Sequence, residues 1–247
     1  MNPQVVAHRG SSELHAENTW AAFEAAVVDG ADAIECDVQG TRDGELVIRH
    51  DLSIANRLVV ECSAAEIEAL EPGLVHLAEL LAWAARANIG LLIEIKDPDV
   101  AVAVCALAAT CSWRERVVVG SFHGPALAAG KARAPGIGTS LMIGSVLAPE
   151  DMIRLARAYR ADGVHPCWEH RSPHPHRLLD AVALARLRDA RLAVTLWHEE
   201  RESELLALVA LRPDAICTNV PALLRRIIDR PATAGESVGV ARAVDGG

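Results

Sequence analysis

The chain has 247 residues, 51% of them hydrophobic, and a formal net charge of −9. That length suits one large α/β domain, and the acidic balance argues against a general nucleic-acid or anionic-membrane partner, although a bound cation and a few basic side chains can reverse the field inside a cleft. No apolar run reaches membrane-spanning length, the amino-terminal residues have no leader-like pattern, and the six cysteines contain no Cys-x-x-Cys pair, so a cytoplasmic protein with free thiols and no membrane anchor is expected.

In chain order, the first strand is expected at 4–8, ending on His8 and Arg9. A helix at 19–29 leads to a strand at 33–38 that carries Glu35 and Asp37. Thr41-Arg42-Asp43-Gly44 reads as a turn into a short returning strand at 45–50. Residues 52–75 form a short excursion before the next helix, 77–88, placed where a barrel would carry a substrate lid. Strands at 91–96, 117–122, 139–143, 163–167, 192–197 and 215–218 then alternate with helices at 100–110, 125–133, 149–159, 175–189, 202–211 and 221–229. Several of these helices open with Pro, which suits a first helical turn. Eight strands alternating with helices predict a parallel sheet, and at this length a closed (β/α)8 TIM barrel fits best. An open doubly wound sheet is disfavoured because no Gly-x-Gly-x-x-Gly follows the first strand. One domain is therefore expected over 1–229, with 52–75 as a shortened insertion and 230–247, which loses apolar periodicity, as a flexible tail.

Charged groups inside apolar strands are the chemical signal. A strand buried on both faces should be continuously apolar, and a buried charge is costly unless paired or bound to metal. Glu35 and Asp37 stand two apart and share a face, and Glu94 lies at the equivalent level of the next barrel strand. Three converging carboxylates suit a hard divalent cation, Mg²⁺ or Ca²⁺, with Mn²⁺ a further option. The alternative is a salt-bridge cluster with Arg9 and Lys96. His8 and His50 suit proton transfer near neutral pH, while Arg9 and Lys96 suit phosphate oxygens. Asp51, adjacent to His50 in an extended segment, is expected to point the other way and fix the turn. All ten histidines except His76 fall at a strand end or in the segment after it, which a barrel would gather on one face. Ser172-Pro173-His174-Pro175 reads as an ordinary turn. Together these parts suggest metal-assisted phosphoryl chemistry.

These residues carry a resemblance. His8-Arg9-Gly10, Glu17-Asn18-Thr19, Ala22-Phe23, Gly30-Ala31-Asp32, Ile34-Glu35-Cys36-Asp37-Val38, Thr41-x-Asp43-Gly44 and His50-Asp51 resemble the amino-terminal signature of the glycerophosphodiester phosphodiesterase family. Ile93-Glu94-Ile95-Lys96, Ser121-Phe122, Trp197 and Ile216-Cys217-Thr218-Asn219 extend the likeness to nearly the whole chain. The resemblance implies a TIM barrel, one divalent cation held by Glu35, Asp37 and Glu94, and His8 and His50 as general acid and base. It further implies Arg9 and Lys96 on the phosphate, and hydrolysis of a small-molecule glycerophosphodiester to glycerol 3-phosphate and an alcohol. Trp197 is read as a substrate platform or ordinary packing, and His123 and His165 as further substrate contacts. The sequence departs from the family's pattern at Asn219, where Asp is common, at His198-Glu199-Glu200 after the tryptophan, and in the short stretch from Leu52 to Gly90, which predicts an open pocket. A phospholipase acting on lyso-lipid or phosphoinositide-like head groups through a cyclic phosphate, and a catalytically silent phospho-ligand-binding barrel, are the other readings. A homodimer is a base-rate expectation.

Overall fold

A computed structural model describes residues 2–167 and 172–230. The order is β1 (Gln4–Ala7), α1 (Trp20–Val28), β2 (Ala33–Gly40), β3 (Leu46–Ile48), β4 (Ser53–Ile54), β5 (Arg57–Leu58), α2 (Ala64–Leu70), β6 (Val75–His76), α3 (Leu77–Ala87) and β7 (Gly90–Ile95). It continues with α4 (Ala101–Ala109), β8 (Val117–Ser121), α5 (Gly124–Arg133), β9 (Gly138–Ile143), α6 (Pro149–Ala158), β10 (Gly163–Pro166), α7 (Ala181–Asp189), β11 (Ala193–Leu196), α8 (Glu202–Leu211), β12 (Ala215–Thr218) and α9 (Pro221–Asp229).

Eight parallel strands, in the order β1, β2, β7, β8, β9, β10, β11 and β12, close on themselves through β12 and β1, so the expected (β/α)8 barrel is the fold. Strand alternation sorts the side chains. On β2, Ile34, Cys36 and Val38 join the large core between barrel and helices, and on β7 Leu91, Ile93 and Ile95 do the same. The opposite phase of these strands faces the barrel interior. Low in the barrel it is apolar, with Val6, Leu92, Ala215 and Cys217 packed together. Toward the carboxyl ends the same faces carry Glu35 and Asp37 on β2 and Glu94 on β7. The register pairs Asp37 with Glu94 across β2 and β7. Five of the six cysteines are buried.

The excursion is a small folded unit. β4 and β5 form a two-stranded hairpin, and α2 is capped at Ser63, whose side chain accepts from the Glu66 N–H. Val47, Ile54, Val59, Cys62, Ala64 and Ile67 form a small separate core beneath them. The unit is attached to the barrel through β3, antiparallel to β2 and to β6.

Three expectations need correction. The helix expected over 175–189 is interrupted: a 3₁₀ turn at Pro175–Arg177 precedes α7, which starts only after Asp180 caps it by accepting from the Ala183 N–H. The Asp carboxylate satisfies an orphan helix donor and so fixes the start there. The strand expected over 45–50 also stops at Ile48. Buried Gln39 donates its side-chain amide to the carbonyls of Arg49, His50 and Asp51 at 2.9, 3.3 and 2.8 Å, curling the chain around it. The segment is therefore bent, and His50 and Asp51 face each other, with Nδ1 of His50 2.9 Å from Oδ1 of Asp51, contrary to the opposite-face expectation. The tail expected over 230–247 falls outside the described residues from 231 onward, as does His170.

Candidate active site

The carboxyl end of β1 begins the site. After Ala7 the chain turns sharply through Arg9 at φ +55° and Gly10 at φ +87°. This turn aims the Arg9 backbone N–H at Oε2 of Glu35, 3.0 Å away, and places its guanidinium Nε 3.1 Å from Oδ2 of Asp37. Nη1 of Arg9 also meets Glu17 at 2.8 Å. From the end of β7, Lys96 reaches Glu94 at 2.8 Å and Asp37 at 3.6 Å. Asn18, just before the Thr19 cap of α1, donates to Oδ2 of Asp37 at 2.8 Å and so sets its orientation.

One ligand oxygen from each of Glu35, Asp37 and Glu94 lies within 4.8 Å of the others, and all three residues are buried. Burial, reinforced by Asp37 and Glu94, pushes the Glu35 carboxyl well above the ordinary carboxylate range. Burial and Asp37 also raise Glu94, against the opposing pull of Lys96. Burial would lower the Lys96 ammonium, but Glu94 and Asp37 outweigh it and its pKa rises. Both readings of the cluster therefore have a basis: the salt bridges form, yet Glu35 Oε1, Asp37 Oδ1 and Glu94 Oε2 are buried oxygens without a hydrogen-bond partner. Buried polar atoms normally find partners. One such oxygen remains on each carboxylate, and three carboxylates this close together are a donor set that fits a hard divalent cation.

His8 is buried beside this cluster, its Nε2 3.9 Å from Oε2 of Glu35. Its Nδ1 sits 2.7 Å from Oδ1 of Asn219. Asn219 in turn donates to Glu200 at 2.9 Å, which identifies Oδ1 as the acceptor and puts the His8 proton on Nδ1. Nε2 thus carries a lone pair toward the cluster. Burial, then Arg9 and His198, push the His8 pKa well below the ordinary range, so the ring is neutral near pH 7. His198 stacks on it at 4.7 Å between centroids and is itself held by Glu200 at 2.5 Å.

His50 lines a cleft of about 270 Å³ with Asn18, Asp51 and Pro72, and the three carboxylates are not among the residues that wall it. The hydrogen bond from His50, helped by the nearby Arg49 charge and against the effect of burial, holds the Asp51 carboxyl below its usual range. Trp197 packs edge-on to His8 and His165 at 5.4 and 5.6 Å and lies 5.9 Å from Phe122, so it is the centre of an aromatic cluster under the site. His165 is fully buried, with both ring nitrogens unpartnered, and burial pushes its pKa down to about 3. His123 caps α5, its Nδ1 accepting from the Ala126 N–H. The sequence reading gave no role to Asn18 and none to the Glu200–Asn219 relay. Asn18 precedes a helix cap and could have been noticed there; Asn219 meets His8 from 211 residues away.

A closed (β/α)8 barrel that gathers carboxylates, two cations and a fixed imidazole on its carboxyl-terminal rim defines the class: a barrel hydrolase of phosphodiesters. The Glycerophosphoryl diester phosphodiesterase family matches residues 8–223, and the chain belongs to that family. It is accordingly a glycerophosphodiester phosphodiesterase. Glycerophosphodiester phosphodiesterase of Caldanaerobacter subterraneus is 27% identical over 250 residues, covering 92% of this chain and 98% of the relative. The uncharacterized protein YqiK of Bacillus subtilis is 28% identical over 240 residues, covering 88% and 95%. An Oleispira antarctica phosphodiesterase, solved in complex with its product sn-glycerol-3-phosphate, superposes with a TM-score of 0.78 at 23% identity over 92% of this chain and 97% of its own. Glycerophosphodiester phosphodiesterase from Agrobacterium tumefaciens superposes at 0.74 with 22% identity, over 91% and 99%.

Proposed function

We propose that the chain hydrolyses small glycerophosphodiesters to glycerol 3-phosphate and an alcohol, with Glu35, Asp37 and Glu94 holding one divalent cation of the Mg²⁺ or Ca²⁺ kind and His8 and His50 moving the protons. The observation that carries this reading is the set of three buried carboxylates that each offer a ligand oxygen within 4.8 Å of the others. A cation held there would offset charge on the phosphoryl oxygens. Arg9 and Lys96 flank the same point and are suited to hold the remaining phosphate oxygens in a fixed orientation.

His8 fits the base. Its Nδ1–H is committed to Asn219, and its neutral ring presents Nε2 to accept the proton of the nucleophile, either water or the neighbouring glycerol hydroxyl, as the new O–P bond forms. His50 is assigned the acid: Asp51 at its Nδ1 orients the ring, which can deliver a proton to the leaving alkoxide as the old O–P bond breaks. Partly buried Trp197 packs against the rings of both His8 and His165, so it supports the ring of His8 as well as facing the site.

A cleft of about 240 Å³ beside Lys96 is walled by Leu52, Leu58, Val60 and Pro98. Leu52, Leu58 and Val60 are each about half exposed. That apolar wall favours, as a second reading, a leaving alcohol with a hydrocarbon arm, as in a lyso-lipid.

The test is turnover of glycerophosphocholine and of a lysophospholipid by the chelator-stripped chain, with Mg²⁺, Ca²⁺ and Mn²⁺ restored singly. Activity should vanish with chelator and return with a cation; equal rates in both states would remove the cation from the reaction. His8→Ala and His50→Ala should each lower the rate by roughly two to four orders of magnitude. Leu58→Glu should depress lysophospholipid turnover alone if the apolar wall receives the leaving group.

A further inference from the structure

We propose that His174, His176 and Glu204 form a second metal site, for a zinc-class ion, on the same rim of the barrel but separate from the three carboxylates. The two histidines come from the 3₁₀ turn after β10, and Glu204 comes from the first turn of α8. Nδ1 of His174 lies 3.0 Å from Oε1 of Glu204, and Nδ1 of His176 lies 2.6 Å from Oε2. One ligand atom from each residue falls within 4.8 Å of the other two.

The chemistry of the set is distinct from that of the catalytic cluster. Two imidazoles and one carboxylate match the ligand set of three-protein-ligand zinc sites, which keep a fourth position open. An all-oxygen set suits Mg²⁺ or Ca²⁺ instead. Burial supports the assignment: the Glu204 side chain is 6% exposed, whereas His174 is 49% and His176 27% exposed. The carboxylate therefore forms a fixed floor, and the imidazoles open toward solvent, from which an ion can enter.

The scaffold is already organised. Arg201, at the start of α8, donates to the carbonyl of Pro173 at 2.7 Å and ties the histidine segment to the helix that carries Glu204. The Arg201 charge is met first by Glu199, at 2.8 Å from Nε and 2.5 Å from Nη2, while Glu204 is hydrogen-bonded to the two imidazoles. An ion bound to all three would replace two hydrogen bonds by coordination and clamp the segment after β10 to α8.

The test uses the untagged full chain, stripped of metal and held in excess Mg²⁺ so that the carboxylate cluster is occupied by the hard cation. Titration with Zn²⁺ should show one equivalent bound. His174→Gln/His176→Gln and Glu204→Gln should each weaken it more than about 100-fold, beyond the roughly 10–100-fold that an outer hydrogen-bond partner contributes. Glu94→Gln should retain it, and Zn²⁺ should raise the melting temperature of the wild type but not of the double histidine variant. Co²⁺ in its place should give visible d–d bands without a thiolate charge-transfer band. Absence of the equivalent, its persistence in the double histidine variant, its loss in Glu94→Gln, or a thiolate band would each overturn the proposal. None of these readouts depends on turnover, so the catalytic reading and this one fail separately.

Discussion

Three carboxylates and two cations meet on one rim, and the imbalance has a consequence for stability as well as for chemistry. Glu35 is the residue on which it falls hardest, because burial, Asp37 and Glu94 all raise its pKa above the unfolded value. A carboxyl raised in the folded state binds its proton more tightly there. Its contribution is favourable below the unfolded pKa and is lost as pH rises through the folded one. In the metal-free protein, Glu35→Gln should therefore raise the melting temperature at pH 8, with the gain shrinking toward pH 5. Each 1 kcal/mol relieved should read as about 2–4 °C in a chain of this size. The same substitution should lower turnover by roughly 100-fold or more, since it removes a charge the transition state uses. Thermal melts in chelator across that pH range check the first half, and steady-state rates check the second. A variant that melts lower than wild type at pH 8 would show that Arg9, rather than like-charge repulsion, governs Glu35. Residue identity was legible where strand periodicity exposed a violation, as at Glu35, Asp37 and Glu94. It was not legible at Asn18 or Asn219, because an amide near a helix cap is locally ordinary and its partner lies across the fold.

At the scale of elements, two short turns place the catalytic groups. The first is Arg9-Gly10. A Cβ on Gly10 would stand 2.6 Å from the Ala22 carbonyl carbon and 2.7 Å from its Cβ, and the residue's φ of +87° already disfavours any side chain. Gly10→Ala should therefore destabilise the chain by about 1–3 kcal/mol, the usual cost of overpacking. It should also lower turnover, because the turn aims the Arg9 N–H at Glu35; urea unfolding and rates at saturating cation check both. The second turn is the curl at 49–51, gathered by Gln39. Gln39→Leu keeps the volume but leaves three carbonyls without that donor. It should lower turnover by about 10-fold or more through loss of His50 position while barrel stability falls by only about 1–3 kcal/mol. An unchanged rate would place the curl outside the control of His50. Alternation of apolar and polar residues made the barrel strands and most helix limits readable. It failed at 175–189 and at His50-Asp51, where one side chain reaching a backbone group, Asp180 in the first case and Gln39 in the second, overrides local periodicity.

The barrel as a whole is apolar below and charged above, and His165 lies where the two regimes meet. It is fully buried on β10 against Trp197, and its pKa is pushed down to about 3 from an ordinary 6.5. The folded barrel therefore keeps the ring neutral at pH values where the unfolded chain protonates it. The stability this confers is complete above about pH 6.5. It falls as the pH drops from there toward 3, at up to about 1.4 kcal/mol per pH unit for one proton. Burial alone accounts for this depression of the ring's pKa. Acid should thus loosen the barrel from its centre, before the well-exposed ion pairs of the helical layer matter. His165→Leu, which fills similar space without a titrating nitrogen, should flatten the dependence of unfolding free energy on pH between 6.5 and 4.5 by about one proton's worth, while leaving stability at pH 8 within about 1.5 kcal/mol of wild type. Urea titrations at pH 8.0, 6.5, 5.5 and 4.5 (about one unit apart, enough to resolve a one-proton slope) measure both quantities for each protein. Parallel slopes in the two would mean that His165 gains its proton inside the folded barrel, and that its burial does not hold the ring neutral.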